Sequence, residues 1–108
     1  MEIKEFAKEC QEIRESKGFT TTKEEMLGKL MLVVSEIAEA AEFVRDDNWS
    51  SWYSGNGKPE GFIFELADAM IRIGDISSTL GYELDAVIRI KLDYNRSRPS
   101  LHGRRSSS

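Results

Sequence analysis

From Phe62 to Asp75 the chain reads FIFELADAMIRIGD, and no other stretch restricts its fold more. Wound as a helix at about 100° per residue, it is apolar over most of its circumference. Phe62, Ile63, Phe64, Leu66, Ala67, Met70, Ile71, Ile73 and Gly74 make up that apolar surface, while Glu65, Asp68, Arg72 and Asp75 fall in one narrow stripe. A helix apolar nearly all round belongs in an interior. Its polar stripe must then face something that satisfies charge, because an unpaired buried carboxylate costs several kcal/mol or changes its protonation.

A chain of 108 residues has difficulty surrounding such a helix. Small domains bury only roughly 60–65% of their unfolded surface, and association with another copy supplies the missing cover. The pattern therefore predicts a homo-oligomer with this helix at or near the interface.

The remaining organisation follows from the chain's breaks. Pro59 and Pro99 are the only prolines, and glycines at 18, 55, 57 and 81 mark the other turns. Four proline-free stretches of helical composition lie between them. The first helix is predicted from about Glu2 to Lys17, ending at Gly18. Thr22 and Glu25 fit a capping box for a second helix that runs to about Asp46. Asn48–Lys58 reads as a loop rich in serine, Asn-Gly and aromatics. Pro59 suits the first turn of a third helix that continues to about Leu80, and a fourth spans about Glu83–Ser97. No strand signal of useful length is present. The expected fold is an all-α four-helix bundle over residues 1–97, followed by a basic, serine-rich tail at 98–108.

Composition narrows the function. Hydrophobic residues make up 40% and charged residues 31%, an ordinary balance for a folded chain. The longest apolar run, Leu30–Val34, is far short of the ~20 residues that span a bilayer, so no membrane partner is expected. With no secretory signal at the N-terminus, a cytoplasmic location is expected. Fifteen Lys and Arg against nineteen Asp and Glu give a net charge of −4, which argues against nucleic acid as a partner. The single Cys10 and the single His102 exclude cysteine-rich and multi-histidine sites. Any chemistry must come from carboxylates.

Two pairs of carboxylates stand out, Glu36-x-x-Glu39 and Glu65-x-x-Asp68. Residues three apart on a helix project to one side, ~5–6 Å between Cβ atoms. Antiparallel packing of the second and third helices lets the pairs converge. Four like charges in a partly dry pocket call for a divalent counterion, and oxygen-only ligands favour Mg²⁺, with Mn²⁺ as a substitute. A di-iron bundle needs Glu-x-x-His motifs, which are missing. On the second helix, Leu30, Val34, Ile37, Ala41 and Val44 read as the core-facing stripe, and Leu32, Glu36, Glu39 and Phe43 as a further one. On the fourth, Leu84, Val87 and Ile88 define a buried side that Lys91, Asn95 and Arg98 continue. A lysine and an asparagine placed there suit a phosphate-bearing ligand.

Other readings of the same residues stay open. The carboxylates also suit a solvated acidic face or salt bridges to Arg72 and Lys91. Arg72 fits a neutraliser of Asp68 and Asp75, and Asp75 a structural partner more readily than a further ligand. Glu42 reads as surface. Trp49, Trp52 and Tyr53 suit stacking on a nucleobase as well as anchoring a partner copy. His102, Arg104 and Arg105 suit closure over phosphates, or simply a mobile basic tail.

The order KLMLVVSEIAEAAEFVR, then FELADAMIRIGDIS, then KLDYNRSRPSLHGRR resembles the MazG-like nucleotide pyrophosphohydrolases of the all-α NTP pyrophosphatase superfamily, over roughly Leu27–Arg105. The resemblance implies Mg²⁺-dependent hydrolysis of a nucleoside triphosphate to the monophosphate and diphosphate, work of the nucleotide-pool housecleaning kind. It also implies a dimer or tetramer of helical bundles. By position it makes Glu36, Glu39, Glu65 and Asp68 the metal-binding and catalytic residues, with Lys91 and Asn95 on substrate phosphate or sugar. A helical oligomer that binds nucleotide or metal without hydrolysis, as an interaction or regulatory module, is the competing expectation.

Overall fold

A computed structural model describes residues 1–99. The chain forms helix α1 (Ile3–Ser16), a 3₁₀ turn (Lys23–Glu25), α2 (Met26–Arg45), strands β1 (Ser51–Tyr53) and β2 (Pro59–Gly61), α3 (Phe62–Thr79) and α4 (Leu84–Ser97). The architecture is mostly helical, as expected, with one small sheet. None of these helices is long and apolar enough to cross a membrane.

Local chemistry sets the helix ends. Thr22 N–H donates to Glu25 Oε1 at 2.9 Å, the backbone half of the expected capping box. Three helices close in the same way. The amides of Gly18, Asp47 and Gly81 bond back to Glu15, Val44 and Ser78, and the following amides reach Arg14, Phe43 and Ser77. This double closure needs a left-handed residue after the cap, which Gly18, Gly81 and, less commonly for its type, Asp47 (φ 52°) supply.

The segment read as a loop is a hairpin. β1 and β2 pair antiparallel, with Ser51 opposite Gly61, Trp52 opposite Glu60 and Tyr53 opposite Pro59. Pro59 therefore opens a strand, not a helix, and α3 begins three residues later. The reason lies at Gly61, whose φ of +131° turns the chain and whose missing side chain admits Ser50 O. A Cβ there would meet that oxygen at 2.5 Å.

α3 is the centre of the molecule, packed against both α1 and α2. The α1–α3 contact is close because Gly74 faces Ala7 and Cys10; a Cβ would stand 3.1 Å from Cys10 Sγ. Ala7, Cys10, Ala40 and Ala69 form the buried apolar core, and no large side chain among the described residues is fully enclosed.

The expected core face of α2 is overturned. Leu30, Val34, Ile37 and Val44 are exposed, Val34 by 55%. The side turned toward α3 carries Glu36, Ala40 and Phe43. On α3, likewise, Ile63, Met70, Ile71 and Ile73 are exposed while Gly74 and Asp75 are buried. α4 meets α1 and α3, and its residues beyond Ile88 are exposed as far as Ser97. Leu84 and Ile88 are half-buried, but Val87 is exposed, which corrects its placement on a buried side.

Candidate metal centre

The opposed helices α2 and α3 bring acidic side chains together from both. Carboxylate oxygens of Glu36, Glu65 and Asp68 all lie within 4.8 Å of one another. Glu39, one turn along α2, neighbours Glu65. Glu36 meets the residue pair Asp68 and Arg72 while Glu39 meets Glu65, so the two helices run antiparallel. The cluster is graded: Glu36 is 9% exposed, Glu65 half-buried and Asp68 open to solvent. One end is thus anchored in protein and the other accessible.

Its electrostatics are strained. Burial, then the neighbouring Glu39 and Glu36, push the Glu65 carboxyl up to about 7. Its Oε2 is buried with no hydrogen-bond partner. Arg72 Nε stands 3.5 Å from Glu36 Oε1, the only ion pair to the cluster among the described residues. Three to four carboxylates facing one guanidinium leave a negative deficit, and an orphaned carboxylate oxygen is an open ligand position. Hard oxygen donors of this kind fit Mg²⁺ or Mn²⁺.

Arg72 therefore pairs with Glu36, not with Asp68 and Asp75 as expected. Asp75 is occupied elsewhere: Arg14 Nε reaches both its oxygens at 3.1–3.2 Å, and Thr79 Oγ1 donates to it at 3.0 Å. Asp75 is a structural partner and no ligand. Arg14 also donates to Phe19 O at 3.0 Å and to Thr79 Oγ1 at 2.8 Å, so it clamps the α1–α2 turn to α3. Sequence reasoning passed over Arg14, although Ala7, Cys10 and Arg14 share a face at i, i+3 and i+7. A cation on the buried face of a helix signals a buried acidic partner.

Clefts flank the carboxylates on both sides. Beneath the hairpin, about 340 Å³ is bordered by Glu39, Glu42, Asp46, Glu60, Glu65 and Lys58. Glu42 is exposed, as expected, and also borders this acidic side. In the other direction, a cleft of about 310 Å³ opens between α1, α2 and α3.

The remaining expected site residues are placed otherwise. Lys91 and Asn95 are exposed, and neither lines the clefts just described. α4 leaves the body of the fold after Ile88, and Lys91 Nζ lies 5.4 Å from the centre of the Tyr94 ring. The inward placement of Lys91 and Asn95 is therefore incorrect within one chain. Trp49 stacks edge-on against Phe62 with centroids 5.1 Å apart, and its Nε1 donates to Asp47 Oδ1 at 2.8 Å. Trp52 packs similarly on Phe43 at 5.8 Å. Both pin the hairpin to the ends of α2 and α3. His102, Arg104 and Arg105 lie outside the described residues. Compared with known proteins, the chain matches no family model, no curated protein and no solved structure.

Proposed function

We propose that this chain is a Mg²⁺-dependent nucleoside triphosphate pyrophosphohydrolase of the MazG-like kind, converting a (d)NTP and water to the monophosphate and diphosphate. The observation that supports it most is the convergence of Glu36, Glu65 and Asp68 within 4.8 Å, with Glu65 Oε2 lacking a partner. These three residues would hold the metal, with Glu39 at their edge. When bound, the ion supplies charge neutralisation for the triphosphate and a more acidic water.

The chain's own residues divide the remaining work. Glu39 is exposed and least committed to the three-residue cluster, so it is assigned as the base that takes the proton of the attacking water. Glu36, held at 3.5 Å by Arg72, keeps its carboxylate oriented. Arg72 uses Nε for that contact and offers its other N–H groups to a phosphate oxygen.

The active form in this reading is a homo-oligomer, a dimer or tetramer. Leu30, Val34, Ile37, Ile63, Met70 and Ile73 make an exposed apolar surface on adjacent helices. A second copy also offers a route for Lys91 and Asn95 to a neighbour's carboxylates.

The exposed position of those two residues favours one other reading: a helical oligomer that binds nucleotide and metal without turnover. Pyrophosphate release from a panel of triphosphates with Mg²⁺ separates the two. Turnover of any member supports the enzyme. A folded protein that binds nucleotide and Mg²⁺ calorimetrically, yet releases no product, retires it in favour of the module.

A further inference from the structure

The cleft on the α1 side of the carboxylates has a chemistry of its own. Phe19, Leu32 and Ile76 form its apolar walls, and Lys29, Arg14 and Arg72 its polar rim, with Asp75 behind them. Phe19 is 66% exposed, yet its backbone is fastened on both sides: its carbonyl accepts from Arg14 Nη1 at 3.0 Å and its amide donates to Arg14 O at 3.4 Å. An aromatic ring presented in this way, on a turn clamped by a half-buried arginine, suits stacking.

Lys29, Arg14 and Arg72 offer donors, and Asp75 is the acidic side chain of the lining. Both oxygens of Asp75 already accept from Arg14, and Thr79 adds a further bond to Oδ1. Lys29 has no salt bridge among the described residues, and Arg72 has N–H groups beyond the one facing Glu36. Lysine and arginine have no acceptor to offer. A group bound between these walls must be flat, largely apolar on its faces and acceptor-rich at its edge.

Position supplies the connection to the carboxylates. Lys29, Leu32 and Glu36 lie on one side of α2 at i, i+3 and i+7, and Asp68 and Arg72 at i and i+4 on α3. The cleft is therefore one to two turns along the groove from the cluster, about 6–10 Å at 1.5 Å per residue. A ribose bridges that span between a 5′-phosphate at the cluster and a base in the cleft.

We propose that this cleft receives the nucleobase of the triphosphate and selects bases with a carbonyl edge (uracil, thymine, guanine, hypoxanthine) over those with an amino edge (adenine, cytosine). The inference rests on the pyrophosphohydrolase reading for the identity of the substrate. An amino group set against Lys29 would leave two donors facing each other, whereas a carbonyl accepts. The apolar walls Phe19, Leu32 and Ile76 suit the faces of a base better than the oxygens of a phosphate chain.

The test uses the full chain and Mg²⁺ with dUTP, dTTP, dGTP, dITP, dCTP and dATP. The expected result is a preference of about tenfold or more in kcat/KM for the carbonyl-edged members. Phe19→Ala should raise KM about tenfold with kcat within a factor of about two, since loss of stacking weakens binding without touching the reacting atoms. Lys29→Gln, which has both donor and acceptor, should narrow the preference. Equal use of all bases, an unchanged KM in Phe19→Ala, or a Lys29→Gln variant that loses kcat alike for every base would each overturn the assignment. If no triphosphate is turned over, the enzyme reading falls, and calorimetry of dUMP against dCMP in EDTA still decides the base site. Tighter dUMP binding that weakens in Phe19→Ala upholds it, and equal or absent binding overturns it.

Discussion

The two sides of the α2–α3 pair are opposites. Toward the groove stand Glu36, Glu65, Arg72 and Asp75, closed in by neighbouring elements. Away from it stand Val34, Ile37, Ile63, Met70 and Ile73, open to solvent, with Met70 61% exposed. A self-sufficient monomer arranges these the other way round, because burying a carboxylate is costly and burying an isoleucine is favourable. In the function proposed above, a cation answers the acidic groove and a second copy covers the apolar outer side.

That contrast is open to attack from both sides. The largest effect should come from the groove's carboxylates. Glu39→Gln or Asp68→Asn should lower turnover by about a thousandfold or more while leaving helical content by circular dichroism unchanged. Activity retained in both variants removes these residues from the site.

Next in size is the clamp that closes the groove toward α1. Arg14→Met leaves Asp75, 9% exposed, without its charge partner, and denaturant unfolding should show a loss of about 3–4 kcal/mol. Pairing Arg14→Met with Asp75→Leu should recover much of that loss. If the single variant is as stable as wild type, the buried pair has been misjudged.

The outer side should respond to charge in a different way. Val34→Glu with Met70→Glu should weaken self-association about a hundredfold, read by sedimentation across a concentration series. An unmodified chain that sediments as a strict monomer at micromolar concentration would count against the apolar cover altogether.

The smallest effect concerns pH. Glu65 is raised from the usual 4.5 to about 7, so the folded state holds a proton that the unfolded state has released. Stability of the metal-free protein should therefore be greatest below about pH 4.5 as far as Glu65 is concerned, and decline as pH rises toward 7. A metal competes with that proton. Mg²⁺ affinity should rise by up to about tenfold between pH 6 and 7 and level off above, measured by thermal shift or calorimetry. Glu65→Gln should abolish the pH dependence of stability in that window. An affinity flat from pH 6 to 8 breaks the link between Glu65 and the metal.

Much of this was legible beforehand, though unevenly. Helix boundaries near Gly18, Thr22 and Gly81 follow from local capping and came within a residue or two. The carboxylate pairs at three-residue spacing follow from the helical repeat, and antiparallel packing brings Glu36, Glu65 and Asp68 together. The hairpin did not, because strands of three residues show no alternation, and Pro59 fits a strand edge as well as a helix start. Lys91 and Asn95 were misplaced because a helical wheel says which residues share a side, not how far along its length a helix stays in contact. The wheel failed on α2 for a related reason: the apolar stripe is real, but this chain alone leaves it uncovered.

By itself, then, the order of residues determined the helices, their ends and their stripes, since these depend on neighbours within a turn or two. Only the tertiary structure decided which stripe faced inward, that Arg14 would claim Asp75, and that Arg72 would stand between an acidic cluster and a donor-lined cleft. Those outcomes come from competition among surfaces far apart in the chain, where the close α1–α3 approach at Gly74 and the reach of a single arginine outweigh local pattern.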